Sequence, residues 1–424
     1  MHDARLIRDR LDDLREAMRR RGALGALAPQ LDRCEGLDRE RRLLIQAVEE
    51  RKAARNASSQ EVARRKKAGE DAADLIAQGR ALGEEIARLE SELGVVEQTL
   101  DRIMMEVPNM TLADVPAGDE THNVVLRTWG MPRPSDGVKP HWDIAAALGL
   151  FDAERGAKIS GSGFVVYRAA GARLVRALMN CFLDHHAAAH GYEEVWPPIV
   201  VNRASMTGTG QLPKFEDDAY RIDGDDLFLI PTSEVPVTNL YRDEIIEPGA
   251  LPMAFCAYSP CFRREAGSAG KDTRGILRMH QFDKVELVRY CAPEESEAQL
   301  ALLLGHAEAM LQMLGLPYRV KLLAAGDTGF SSAKTYDLEV WAPGVGAWLE
   351  VSSCSTFADF QARRANIRYR PTKGDKPRFV HTLNGSGLAF PRIIACLLEH
   401  YQQADGSVAI PEALQRYVGT DRLG

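Results

Sequence analysis

Between Cys261 and Glu286 two strand-like runs flank a loop holding Gly267, Gly270 and Gly275. The pattern is a long hairpin with five cations at or near its tip, Arg263, Arg264, Lys271, Arg274 and Arg278. Strand alternation puts Arg263 and Glu265 on one face, and Phe282, Lys284 and Glu286 on one face. A guanidinium, an aromatic ring and carboxylates facing one way suit a nucleotide and an amino acid. The arginine grips phosphate and the ring stacks on a base. A surface hairpin with solvated charges is the competing reading, because arginine-rich hairpins are common on surfaces. The ten histidines form no metal-spaced cluster. The seven cysteines, at 34, 181, 256, 261, 291, 354 and 396, are odd in number and lack a C-x-x-C pair. They suggest neither a disulfide framework nor a zinc ribbon, but buried free thiols.

The wording decides between the two readings of the hairpin. Phe262–Ser268 (FRREAGS) with Met279–Lys284 (MHQFDK) resembles the second signature motif of class II aminoacyl-tRNA synthetases, and is similar to seryl-tRNA synthetases in particular. Pro231–Pro236 (PTSEVP) resembles that family's serine-binding loop. Trp348–Ser355 (WLEVSSCS), followed by Asp359–Arg364 (DFQARR), resembles its metal and ATP strand, and Asn384–Leu388 (NGSGL) with Arg392 resembles the third class II motif. The likeness covers essentially the whole chain. The HIGH and KMSKS patterns of the other synthetase class are absent.

The resemblance implies ATP-dependent activation of L-serine to seryl-adenylate and transfer of serine to the 3′ end of tRNA(Ser), with tRNA(Sec) a second candidate acceptor. By position it implies that Thr232 and Glu234, with Ser233 between them, hold the serine ammonium. Glu286 and Ser386, supported by Asn384, take the serine hydroxyl. Arg263 bridges the serine carboxylate and the ATP α-phosphate, with Arg264 beside it. Glu265 meets the adenine amino group. The adenine lies between Phe282 and Arg392, lined by Met279, His280 and Gln281. Glu350 and Ser353 ligate Mg²⁺, with Val351 and Ser352 near the nucleotide. Arg263 and Arg392 are the catalytic residues. Glu350 and Ser353 have opposite parity on a regular strand, so a bulge or strand end is required for both to reach one ion. The first step needs no protein nucleophile or general base. It needs positioning and charge neutralisation, which arginines and a divalent ion supply. Three departures from the family wording touch the ATP site. Arg264 stands where serine is common, Thr356-Phe357 replaces an Asn-containing pair, and Ala389-Phe390-Pro391 precedes Arg392. Proline is tolerated in a first helical turn, so Pro391 leaves Arg392 in place.

These residues need elements to carry them. The 424 residues predict two domains, with boundaries at 1–106 and 107–424. The fold class expected is α+β. An N-terminal antiparallel helical hairpin precedes an antiparallel sheet with helices on one face, because the strand-like runs are short and few helices separate them. Those runs are Tyr192–Val195, Leu227–Ile230, Met253–Glu265, Leu277–Tyr290, Tyr318–Leu323 and Ala347–Cys354, after a helix over Gly171–His190. Residues 107–140, punctuated by five prolines, read as a connector. Residues 35–105 lack proline, and Leu82, Ile86, Leu89, Leu93, Val96, Leu100 and Ile103 form a strict heptad seam. Leu37, Leu44 and Val48 fit a seam in the earlier half, interrupted at Arg51 and Arg55, and Gly69 is the reversal point. Residues 38–68 carry ten Lys/Arg against five Asp/Glu, and residues 70–105 three against nine. A basic helix folded on an acidic one pairs opposite charges. Arg64, Arg65, Lys66 and Lys67 then fall at the tip, either as a solvated end or as a phosphate contact.

A net charge of −7 argues against a surface coated for nucleic acid, though not against a local basic patch. With no apolar run of membrane-spanning length and no apolar leader, a soluble cytoplasmic protein is expected. By resemblance it is a homodimer built through Gly171–Pro198. The competing functions are a serine-activating paralogue that does not charge tRNA, a non-catalytic RNA-binding protein and a coiled-coil scaffold. The arm speaks against the first, the retained Arg263, Glu286, Glu350 and Arg392 against the second, and residues 141–424 against the third.

Overall fold

The computed structural model describes residues 1–266 and 274–424. Gly267, Gly270 and Lys271 of the hairpin tip lie outside the described residues. The chain divides into two compact units, Met1–Pro108 and Asn109–Gly424.

The first unit is dominated by α1 (Leu24–Ala68) and α2 (Ala73–Glu106). Gly69 ends α1 in the left-handed conformation, φ 72°, and its N–H caps α1 carbonyls, as a helix C-terminus demands. Ile86, Leu89, Val96, Leu100 and Ile103 are buried along α2. On α1 the buried series is Leu31, Cys34, Asp38 and Val48, so the seam passes through Asp38, with Leu37 only half-buried. The buried Asp38 carboxylate is answered by Arg42 at 3.2 Å. Opposite charges do pair across the helices: Arg41 with Glu97 at 2.9 Å, Arg51 with Glu85 at 3.0 Å and Lys52 with Glu90 at 3.0 Å. The first helix starts eleven residues before the proline-free stretch and contains Pro29. That proline lies past the first turn and lacks the N–H that would bond one turn back, yet the helix runs on to Ala68.

The second unit is built on one eight-stranded sheet. Its strands are β1 (Val124–Trp129), β2 (Glu193–Glu194), β3 (Met253–Phe262), β4 (Gln281–Cys291), β5 (Tyr318–Leu322), β6 (Lys334–Ala342), β7 (Ala347–Ala358) and β8 (His381–Ala389). They run in the order β1-β5-β6-β7-β8-β4-β3-β2, antiparallel except for the terminal β3–β2 pair. Helices α3 (Ala170–His190), α4 (Ser296–Met313) and α5 (Phe390–Tyr401) share one core with Val285 and Leu287 of β4, Cys354 of β7 and Leu383 of β8. Period-two alternation then turns Lys284 and Glu286 to the opposite face.

Three strands depart from the sequence reading. The expected connector contains β1, an edge strand exposed at every residue, where no burial imposes an alternating pattern. β6 and β8 were not anticipated. β8 (HTLNGSGLA) is polar and glycine-rich, because one of its faces lines the site.

Candidate active site

β4 crosses the centre of the sheet, and its register sets the site. Glu286 pairs with Ala257 on β3 and Ser386 on β8, and Lys284 pairs with Ser259 and Ala389. β8 carries an extra residue opposite Val285, at Gly387–Leu388, where the buried Leu388 takes φ 83°. A β-branched or bulky residue adopts that region only when its surroundings force it. The kink brings Ala389, Pro391 and Arg392 to the mouth of the cleft. Pro391 sits in the first turn of α5, where its missing N–H costs no hydrogen bond.

One cleft is lined by Arg263, Glu265, Met279, Phe282, Glu350, Val351, Ser386 and Arg392 of the expected set. The Arg263 guanidinium lies over the Phe282 ring, 5.1 Å from its centroid. Arg392 donates to the Glu350 carbonyl at 2.5 Å and lies 3.5 Å from its carboxylate. Glu265, at φ 53°, is paired with Arg278. Arg278 and Lys284 also line the cleft, as do Ile276 and Leu277.

Thr232, Glu234, Glu286 and Asn384 form a buried polar knot joined to this cleft through Lys284. Thr232 Oγ1 donates to Glu286 at 2.8 Å and accepts from Lys284 Nζ at 3.1 Å. The Asn384 amide donates to both carboxylates, 2.9 Å to Glu234 and 3.2 Å to Glu286. Gln361 Nε2 donates to Glu234 at 2.6 Å. Burial, and next the Glu286 charge, push the Glu234 carboxyl up to about 7. Gln361 belongs to the DFQARR run of the sequence, which flagged the segment but not this contact.

Other expected residues lie elsewhere. Ser233 is fully buried and donates to Ser259 at 2.6 Å. Arg264 is exposed, its backbone N–H bonded to the Asp218 carbonyl. His280 stacks on Phe164 and meets the Tyr220 hydroxyl at 3.0 Å, and Gln281 is exposed. Ser352 is buried, its hydroxyl donating to the Ser386 carbonyl at 2.6 Å.

Glu350 and Ser353 share a neighbouring cavity with Lys321, Asp337 and Glu339. The bulge their parity requires is present: pairing steps from Leu338–Ser352 to Glu339–Glu350 and leaves Val351 as the extra residue. Asp337 Oδ1 is buried there without a hydrogen-bond partner. Burial, and next the Glu350 charge, hold the Asp337 carboxyl well above the usual carboxylate range. A divalent cation would answer both the orphaned oxygen and the crowded charge, so the residues fit one. Among the described residues no three His, Cys, Asp or Glu side chains form a metal-holding group of their own.

At the arm tip, Arg64 and Arg65 both pair with Glu61, Arg65 also with Asp74, while Lys66 and Lys67 are exposed. No helix among the described residues is long and apolar enough to cross a membrane.

Comparisons with known proteins agree with this geometry. Residues 214–401 match the class II tRNA synthetase core domain family (G, H, P, S and T), and residues 1–111 match the seryl-tRNA synthetase N-terminal domain family. The chain is 67 % identical to the serine--tRNA ligase of Gemmatimonas aurantiaca, covering 99 % of each chain. It is 55 % identical to that of Geobacillus kaustophilus over the same share. The crystal structure of seryl-tRNA synthetase from Pyrococcus horikoshii complexed with ATP is similar with a TM-score of 0.94 at 38 % identity, covering 100 % of this chain and 99 % of that one.

Proposed function

The chain belongs to the seryl-tRNA synthetase family, and from that premise we propose that it activates L-serine with ATP and passes the seryl group to the 3′ end of tRNA(Ser). The observation that carries this reading is the junction of two unlike half-sites. A buried knot of Thr232, Glu234, Glu286 and Asn384 opens through Lys284 into a cleft holding Phe282, Arg263 and Arg392.

In this reading Thr232 and Glu234 take the serine ammonium, and Glu286 with Ser386 takes the hydroxyl. Arg263 orients the serine carboxylate against the α-phosphate. A carboxylate oxygen bonds to the α-phosphorus, and pyrophosphate leaves with the electrons of the broken P–O bond. The adenine occupies the face of Phe282 that Arg263 now covers, with Arg392 on its other side and Glu265 at its amino group. Arg263 and Arg392 neutralise the charge that builds on the phosphates. The tRNA terminal ribose hydroxyl then attacks the activated carbonyl and AMP leaves. Glu350 and Ser353, with Asp337 beside them, would hold Mg²⁺, which when bound neutralises phosphate charge. Ser233, His280 and Ser352 act behind the site, since their own hydrogen-bond partners hold them there, and Arg264 and Gln281 stay exposed beside it.

The arm grips the RNA through Arg64, Arg65, Lys66 and Lys67, cations meeting phosphates. That arm favours charging of tRNA over the reading of a paralogue that only activates serine. A second copy packs on the stretch Gly171–Pro198, in which Trp196 is 69 % exposed, and the protein works in the cytoplasm. The test is serine-dependent exchange of labelled pyrophosphate into ATP, run beside threonine, alanine and cysteine. Exchange with serine alone is expected. Its absence with purified protein defeats the proposal.

A further inference from the structure

Lys284 lies on the cleft face of β4, two residues before Glu286, and no role above uses it. Its side chain is buried, with 6 % of the residue exposed. Its ammonium is paired with the Glu286 carboxylate and donates to Thr232 Oγ1 at 3.1 Å. Thr232 donates to the same Glu286 oxygen, so lysine, threonine and carboxylate close a triangle. An ammonium buried this deeply persists only where its charge is answered.

The charged and polar groups facing this spot can be counted element by element. The loop and short helix after Pro231 bring Thr232 and Glu234. β3 brings Ser259 by register and the buried Cys261 thiol, and Arg263 follows its last residue; β4 brings Lys284 and Glu286, β8 brings Asn384, and the helix Phe360–Arg364 brings Gln361. Two buried carboxylates therefore face one buried ammonium. With Arg263 assigned to the serine carboxylate, a single negative charge is left over, enough for one substrate ammonium.

We propose that Lys284 is a positioning residue of the serine site: it aims Glu286 at Thr232 and reduces the Glu234–Glu286 pair to the one net charge that the amino acid's ammonium needs. The proposal rests on the reading of this cleft as a serine-activating site. Lys284 is also one of the two cations that lower the Glu234 carboxyl, together with Arg263. Without it, Glu234 keeps its proton to higher pH and serine must displace that proton in order to bind.

The test is serine-dependent pyrophosphate exchange by the full-length protein and by Lys284→Met, Lys284→Arg and Lys284→Ala, from about pH 6 to about pH 9. The wild-type measurement stands apart, since its failure defeats the activity and not the lysine. In Lys284→Met the KM for serine is expected to rise at least about tenfold at neutral pH while the KM for ATP moves less than about twofold. The pH below which the serine KM climbs should shift upward. Lys284→Arg keeps the charge and should keep most of the serine affinity, and added methylammonium or ethylammonium should partly restore Lys284→Ala. The proposal is overturned if the two KM values rise together with the pH profile fixed and no rescue by amines. It is equally overturned if Lys284→Met binds serine as well as or better than the wild type, or if Lys284→Arg is as impaired as Lys284→Met.

Discussion

In the proposed reading, Glu234 makes serine binding depend on pH. Its carboxyl is pushed up to about 7 by burial and by the neighbouring Glu286. The folded value lies above the ordinary 4.5, so ionising Glu234 opposes folding, and its contribution to stability falls as pH climbs from 4.5 towards 7. An arriving ammonium reverses that preference, because it pairs only with the carboxylate. The KM for serine should therefore rise by up to about tenfold for each pH unit below about 7, while the KM for ATP stays level; initial-rate exchange kinetics across that range check it. Arg263 and Arg392 carry a different load. In the proposed reaction each meets charge that grows during adenylyl transfer, so Arg263→Ala or Arg392→Ala should lower the exchange kcat about 10²–10³-fold, the usual cost of losing one preorganised partner. Pre-steady-state adenylate formation measures this directly. The sequence made most of this site legible, because Arg263, Phe282 and Glu286 announce themselves by type and by strand parity. Lys284 shares that parity, yet a lysine two residues from a glutamate reads as a surface pair until its burial is seen. Gln361 was equally hidden: an amide signals nothing until Glu234 and Thr382 are found at its two ends.

Elements place these groups, and two of them do so under constraint. Gly275 has φ 70°, and a Cβ there would lie 2.2 Å from His141 Nε2, a ring fixed on its other side by Glu399. Glu399 also accepts from the Gly344 N–H, so the ring has nowhere to retreat. Gly275→Ala should displace the adjoining Ile276 and Leu277 from the nucleotide cleft and raise the KM for ATP more than that for serine, as exchange kinetics would report. In the arm, Leu89 and Leu100 are buried in the seam. Leu100→Ala should cost about 2–5 kcal/mol, as cavities in packed cores do, and lower the unfolding midpoint of the arm in a calorimetric scan. Element-level legibility followed burial. The α2 seam is legible because both its period and its apolar character are enforced, although Leu82 and Leu93 of the heptad are only half-buried. The α1 seam is not, because Asp38 sits in it with Arg42 as partner and no apolar residue marks the position. β1 was read as connector for the opposite reason: at a sheet edge with both faces exposed, prolines nearby outweigh any period. The bulge at Val351 could be demanded from the sequence, since Glu350 and Ser353 cannot otherwise share a cavity.

At the scale of the whole chain, the proposed reaction divides its labour between the two units by chemistry. All the groups that touch serine and ATP in the proposed reaction belong to Asn109–Gly424, and the basic run Arg64–Lys67 belongs to Met1–Pro108. Adenylate formation needs only the first set, because both of its reactants are small and both half-sites belong to one unit. Transfer to tRNA adds a polyanion, whose capture depends on cations and weakens with salt. Two changes of increasing size separate the steps. Lys66→Glu with Lys67→Glu reverses charge at two exposed positions and disturbs no seam contact, so serine exchange should stay at the wild-type rate while kcat/KM for tRNA charging falls and loses part of its salt dependence. Excising residues 35–105 behind a short glycine linker should leave exchange running and abolish charging. The charge-reversal variant guards against a trivial reading of the deletion, since a folded arm with altered charge cannot fail by misfolding. If exchange and charging fell together in both variants, the arm would be serving the synthetic site itself and the division between the units would be wrong.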